Sequence, residues 1–366
     1  MRYSVLNLRD NPFSDITPTP GQTTDDFFWA GMPTVKAKIK SIYEDTLSLN
    51  ARQLVLNWGP WGGGKTFSAY YFINEYRKTP HLYQAYIRSP KNGNKAIEEF
   101  FTNVIDYITF SKIHEQIQSL IKRSGESGLK SFLNSKIRSE EFSAAILLLG
   151  SDSKDIVEMM QRYLYSGLTK TELKKVGLPR NIETGSAHVK FLSGIILCFI
   201  GDHPEVKEKF ILWIDEMEDL IYFSQTYYRA FSMVLRDLID TLNEHFTVVI
   251  NFTMAEPEES TVELLLGGAL WTRINKKIRF KDFSHEDALL YCAELIGAYQ
   301  IKKTVKFFPF DEQILKTIFD IIPQRNLTPR EVNKYCGNFL NYALKSGNHA
   351  LSKELVMEWM REISED

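Results

Sequence analysis

Eight consecutive residues carry the clearest chemistry. Gly59-Pro60-Trp61-Gly62-Gly63-Gly64-Lys65-Thr66 fits the spacing GxxxxGK[ST] of a P-loop. Glycines let successive backbone N–H groups close around a phosphate, because no Cβ stands in the way. A helix opening near Lys65 adds its positive end. The pattern predicts ATP phosphates in this loop, with Lys65 on the β- and γ-phosphates and the Thr66 hydroxyl on Mg2+. Phe67, next in the chain, completes the expected nucleotide-binding stretch. The plain alternative is a glycine-rich turn that happens to precede a lysine.

A second group follows an apolar run. Phe210-Ile211-Leu212-Trp213-Ile214 leads into Asp215-Glu216. Asp215 at a strand tip can hold the hydration shell of Mg2+, and Glu216 can polarise an attacking water as general base. Two solvated acids opening a helix would look similar, since carboxylates favour that end of the dipole. Asn275-Lys276-Lys277-Ile278 lacks the aspartate of a guanine-reading NKxD motif, so ATP is expected rather than GTP. Asn251 and Thr253, two apart on one strand face, are candidates for a polar side chain between the acids and the γ-phosphate; Asn251 is preferred. Arg273 could stabilise transition-state charge on a neighbouring subunit's nucleotide, with Arg279 as substitute; a surface arginine is the equal alternative. Thr328-Pro329 caps a helix whose first turn aims Arg330 back at the nucleotide.

These groups need a scaffold. Apolar runs at 52–58, 84–89, 209–216, 245–254 and 275–283 read as strands, with helical patterns between them. The clearest helical pattern covers 218–244. Alternation of this kind predicts an α/β fold with a five-stranded parallel sheet and ligands at the carboxyl ends of its strands. The Asn251 strand should lie between those carrying the loop and the acids. Residues 51–105 and 186–284 would form the nucleotide core. Residues 106–185 read as a helical insertion, broken at 122–128. Residues 285–366 read as a helical lid, with helices at 285–299, 311–321, 328–345 and 352–363.

Together the loop, the Asp-Glu strand, the polar fourth strand, the arginine before the fifth strand and Pro329-Arg330 in a helical lid resemble AAA+ ATPases. The likeness is to the initiator-like clade of origin-recognition, Cdc6-type and ExeA-like proteins. Asn11-Pro12-Phe13 and Phe27-Phe28-Trp29-Ala30-Gly31-Met32 resemble the segment that wraps adenine in that clade, which assigns residues 1–50 that role. The resemblance implies an ATP-hydrolysing homo-oligomer that uses Mg2+ and acts on DNA. Segments 165–182 and 212–240, with Arg229 and Leu235-Arg236, resemble P-loop ATP-binding proteins of bacterial BREX-type phage-exclusion loci, implying partner proteins and an antiviral setting. The clade usually adds a winged-helix domain after the lid. Only about 20 residues follow Lys345, too few for a domain of ordinary size, so autonomous sequence-specific DNA reading is not expected.

Composition agrees with a globular chain: 366 residues, 44% hydrophobic and 25% charged, with a net charge of −2. DNA contact must therefore come from local patches. Three groupings qualify: Lys122, Arg123 and Lys130; Lys170, Lys174, Lys175 and Arg180; Lys276, Lys277, Arg279 and Lys281. Each also reads as an ordinary solvated face. Cys198, Cys292 and Cys336 are far apart and lack CxxC spacing, which argues for buried thiols in a reducing compartment rather than a zinc site. No signal region opens the chain and the longest apolar run is too short to span a bilayer, so a cytoplasmic protein with no membrane partner is expected. Two other readings share these features: an ATP-dependent switch or loader that recruits a partner, and a STAND-like signalling scaffold, for which no effector domain is visible.

Overall fold

The computed structural model describes residues 2–14, 28–49, 51–200, 208–223, 225–254, 258–323, 326–348 and 350–365. Phe27 of the adenine-wrapping expectation lies outside them.

Helix α1 (Pro33–Ser48) begins on a proline, whose missing N–H costs nothing at a first turn. Strand β1 (Gln53–Gly59) is buried throughout. A strand covered on both faces needs unbroken apolar character rather than alternation, and Leu54-Val55-Leu56 supplies it. The glycine loop then turns the chain into α2 (Lys65–Glu75), followed by β2 (Leu82–Arg88) and α3 (Ala96–Ile108). Five helices come next: α4 (Phe110–Ile137), α5 (Glu140–Leu149), α6 (Lys154–Tyr165), α7 (Lys170–Val176) and α8 (Gly185–Leu197). The expected break at 122–128 is a kink inside α4, where Gly125 leaves helical geometry with φ 72°. Strand β3 (Lys209–Asp215) is followed by α9 (Met217–Phe223) and α10 (Gln225–Thr241). The single helical pattern read over 218–244 is thus two helices. Strand β4 (Phe246–Thr253), α11 (Glu259–Leu266), α12 (Gly268–Trp271) and β5 (Lys276–Arg279) complete the sheet region. Four helices close the chain: α13 (His285–Tyr299), α14 (Glu312–Ile321), α15 (Pro329–Lys345) and α16 (Lys353–Glu365).

The sheet is parallel, in the order β2-β3-β4-β1-β5. β4 therefore separates the loop strand from the acid strand, and the carboxyl ends of β1, β3 and β4 open at one edge. One face packs on α1 and α2 through Tyr43, Phe72 and Trp213. The other face packs on α3, α8 and α10, and this core runs without interruption into the insertion through Ile113, Leu133, Phe142 and Phe191. The lid has a core of its own, built on Cys292, Ile318, Cys336 and Phe339, and it takes in Leu6, Leu8 and Phe13 from the start of the chain. All three cysteines are buried thiols. Among the described residues, no helix is long and apolar enough to cross a membrane.

Candidate nucleotide-binding site

The loop needs glycine for specific steric reasons. At Gly59 a Cβ would lie 2.2 Å from the Phe280 carbonyl oxygen. At Gly62, where φ is +72°, it would lie 2.7 Å from the Arg330 Cβ and 3.0 Å from the Thr328 hydroxyl. The lid thus rests directly on the loop, and the Arg330 N–H faces the Gly62 carbonyl at 3.4 Å. Thr328 makes this possible by accepting the Glu331 N–H and starting α15 at that point. Trp61 stands in solvent at 55% exposure, and the Met32 methyl lies against Gly64.

Lys65 is buried, and its ammonium group donates to the carbonyls of Gly59 at 3.0 Å and Pro60 at 2.8 Å. Burial pulls its pKa down to about 8, opposed by the charges of Glu218 and Asp215. Thr66 Oγ1 donates to Asp215 Oδ2 at 2.6 Å, so the loop and the acid strand meet. The same oxygen accepts the Tyr86 hydroxyl at 2.7 Å, and Asp215 Oδ1 accepts the Glu216 N–H at 3.0 Å. Tyr86 sits on β2, and burial beside Asp215 raises its pKa.

Glu216 follows in left-handed geometry, φ 57°. Its carboxylate turns toward β2, with Arg88 and Lys91 each 3.8 Å from Oε2. Glu218 turns the other way. It is buried, and its Oε2 accepts the Thr253 N–H at 2.9 Å from the end of β4. Burial raises its pKa; its own N–H, the N–H and hydroxyl of Thr253, and Lys65 act against that rise.

Asn251 is fully buried. It accepts from Asn57 at 3.0 Å and donates to the Lys65 carbonyl at 3.3 Å, fixing the first turn of α2. Thr253 is paired with Gly59 and so stands nearer the loop. Arg273 lies before β5, at the amino end of the strands. It grips Asp240 through Nε at 2.9 Å and Nη2 at 2.6 Å, and donates to the Ala269 carbonyl at 2.8 Å.

The structure therefore brings together the residues from Gly59 to Phe67 with Asp215, Glu216, Asn251 and Arg330. Arg273 stands apart, at the opposite end of the sheet. Tyr86, Glu218, Arg88 and Lys91 also belong to the site and went unread in the sequence. Glu218 lies three residues after Asp215, in the first turn of α9. Of the basic groupings, Lys130, Arg180, Lys276 and Lys277 are held by Glu140, Glu141, Asp45 and Glu259. Lys170, Lys174 and Lys175 have no carboxylate partner among the described residues.

No protein-family model matches the chain, and no curated protein matches it. Solved structures do. The chain is similar to the Aeropyrum pernix ORC2 protein in its ADP form, with TM-score 0.51 and 10% identity over 96% of this chain and 72% of that one. It is also similar to Drosophila ORC bound to DNA, with TM-score 0.50 and 11% identity over 99% of this chain and 66% of that one. At such identities the likeness is one of fold: an α/β P-loop fold on a five-stranded parallel sheet, with a helical insertion and a C-terminal helical lid.

Proposed function

We propose that the chain binds and hydrolyses ATP as an AAA+ protein that assembles into an oligomer and acts on, or is recruited to, DNA. The observation that carries this reading is the 2.6 Å hydrogen bond from Thr66 to Asp215. It joins the phosphate loop to the acid strand at the edge where an open α/β sheet takes its ligand.

The pair also fits Mg2+, being a hydroxyl and a carboxylate, the hard oxygen donors that ion accepts. Bound there, Mg2+ would neutralise charge building on the transferring phosphoryl group. Lys65 would exchange the Gly59 and Pro60 carbonyls for phosphate oxygens. Arg330 would add charge from the lid, and Asn251 keeps the first turn of α2 in place. Glu216 is the carboxylate that the Asp-Glu pattern offers as base for the attacking water. Arg273 would reach a neighbouring subunit's nucleotide only after giving up Asp240. That clamp favours a second reading, in which assembly switches hydrolysis on and the work is recruitment of a partner.

Both similar structures belong to proteins named for the origin-recognition complex, one of them bound to DNA. The exposed lysines of α7 are the local patch best suited to phosphates here. An antiphage setting with partner proteins rests on the likeness of segments 165–182 and 212–240 alone.

The test is ATP turnover with and without double- and single-stranded DNA, alongside mass in solution with ATP. DNA-stimulated turnover by an ATP-dependent oligomer is expected. Lys65→Ala should weaken ATP binding by about a hundredfold, as loss of a charged phosphate contact does. Equal affinity in the variant and the wild type would overturn the assignment.

A further inference from the structure

Asp215 is a buried carboxylate whose donors reach it from two sides. On Oδ2 the Thr66 hydroxyl arrives from α2 at 2.6 Å and the Tyr86 hydroxyl from β2 at 2.7 Å. On Oδ1 the Glu216 N–H arrives at 3.0 Å. An ionised carboxylate offers about four acceptor positions, two to each oxygen. Oδ2 is therefore filled, and Oδ1 keeps one position open.

The two hydroxyls on Oδ2 are not equivalent. Thr66 stands in the first turn of α2, beside the phosphate loop. Its oxygen can give a lone pair to Mg2+ while its proton stays on Asp215. Tyr86 comes from the outer edge of the sheet, since β3 and β4 separate β2 from the loop strand. Register pairs it with Trp213, and both rings enter the core between the sheet and α2. Asp215, two residues after Trp213, shares that face. The Tyr86 ring is buried against Tyr70, one turn beyond Thr66 in α2, with centroids 4.7 Å apart. Packing on both sides thus sets where its hydroxyl points.

Resting on the ATPase reading above, we propose that Tyr86 is a positioning residue for the Mg2+ site. Its hydroxyl fixes the rotation of the Asp215 carboxylate. Thr66 is then left to face the ion, and the open position of Oδ1 to accept from the ion's hydration shell. Without Tyr86, Thr66 alone holds Oδ2 and the carboxylate turns more freely. Partners one step removed from a metal commonly set its affinity by about ten- to a hundredfold. A hydroxyl that only completed the core would act on folding and on nucleotide binding whether or not the ion is present.

The experiment measures binding of the β,γ-imido analogue of ATP to the full chain, in EDTA and over a Mg2+ series. It compares the wild type with Tyr86→Phe, which removes the hydroxyl and keeps the ring. In EDTA the two affinities should agree within about twofold. The Mg2+ concentration giving half of the metal-dependent gain should rise about tenfold in the variant. Tyr43→Phe is the matched control. It removes another buried hydroxyl from the same core, one bonded to Gln84 and Trp213, and should leave the Mg2+ requirement within about twofold. A Tyr86→Phe requirement within twofold of wild type overturns the proposal. So does an equal rise in Tyr43→Phe, an equal loss of affinity in EDTA, or a wild type whose binding gains nothing from Mg2+. Should phenylalanine prevent folding, Tyr86→His carries the test, because its ring is too short to replace the phenol on Asp215. A folded chain needing about tenfold more Mg2+ supports the assignment, and one with the wild-type requirement overturns it. A wild type that binds the analogue no better than Lys65→Ala sinks the ATPase reading itself, a separate and earlier outcome.

Discussion

At the amino ends of the sheet strands, the partly exposed charges are matched. Asp240 takes Arg273 on one side and Arg52 on the other, at 2.6 Å each, and Lys276 meets Asp45. Asn275 exchanges hydrogen bonds with the Leu54 backbone in both directions. At the carboxyl ends of the same strands, the chain buries an ammonium group on backbone carbonyls, bends a glutamate into left-handed geometry and brings three glycines under the lid and β5. One end pairs its charges, and the other holds charge in surroundings that do not favour it. Sites built for chemistry are commonly strained in this way and supported from elsewhere in the fold.

The sharpest way to break this contrast is steric. Gly59→Ala puts a methyl group 2.2 Å from the Phe280 carbonyl oxygen, and a backbone atom cannot swing aside. The loop or the end of β5 must move. We expect a loss of about 3 kcal/mol, the upper range for overpacking, read as a lower denaturant midpoint with an unchanged slope. A midpoint equal to wild type would show that the close approach at Gly59 is not maintained in solution.

Next in size is Glu216→Gln. ATP affinity should hold, and single-turnover hydrolysis should fall about a hundredfold, or roughly 2.7 kcal/mol on the barrier. A Glu216→Gln rate within threefold of wild type would show that the base is not the residue that the Asp-Glu pattern points to.

How much of this was legible beforehand follows from the kind of signal each feature leaves. The loop is a local device: glycine spacing, lysine and threonine sit in eight consecutive residues, and each type has one steric or charge reason to be there. The acid strand is legible because a doubly covered strand must be apolar until its tip. Arg330 was placed through its cap, since Thr328 and Pro329 set where α15 begins. Contacts between distant segments leave no such mark. Nothing around Arg273 announces Asp240, 33 residues earlier, and nothing in Tyr86 announces Asp215. The insertion read correctly as helical, but apolar periodicity cannot say which core a helix enters, and this one shares the core of the sheet. Glu218 was hidden for another reason. An acid in a first helical turn is expected there for its effect on the dipole alone, so its residue type raised no question. Its direction, set by the left-handed turn at Glu216, became visible only in three dimensions.

The smallest effects test the contrast through pH, where the two ends should differ in sign. Asp240 is held below the usual carboxylate value of 3.8, first by its hydrogen bonds to Arg273. Its contribution is therefore present above that value and lost as pH falls through the lowered one. The side chain is 37% exposed, so solvent screens the pair, and Asp240→Asn should cost only about 0.5–1 kcal/mol at neutral pH. Glu218 is raised above its usual 4.5 by burial. Its favourable contribution is complete below 4.5 and is lost as pH climbs through the raised value, because the folded chain must then bury a charge. Glu218→Gln should therefore unfold at a higher temperature than wild type at pH 7, and this gain should vanish toward pH 4. Thermal midpoints of the two variants across pH 2 to 8 check both signs in one series. A Glu218→Gln chain less stable than wild type at pH 7 would mean that the carboxylate, anchored on Thr253, holds β4 in place more than it strains the site, and the division between a supporting end and a strained end would have to be redrawn at β4.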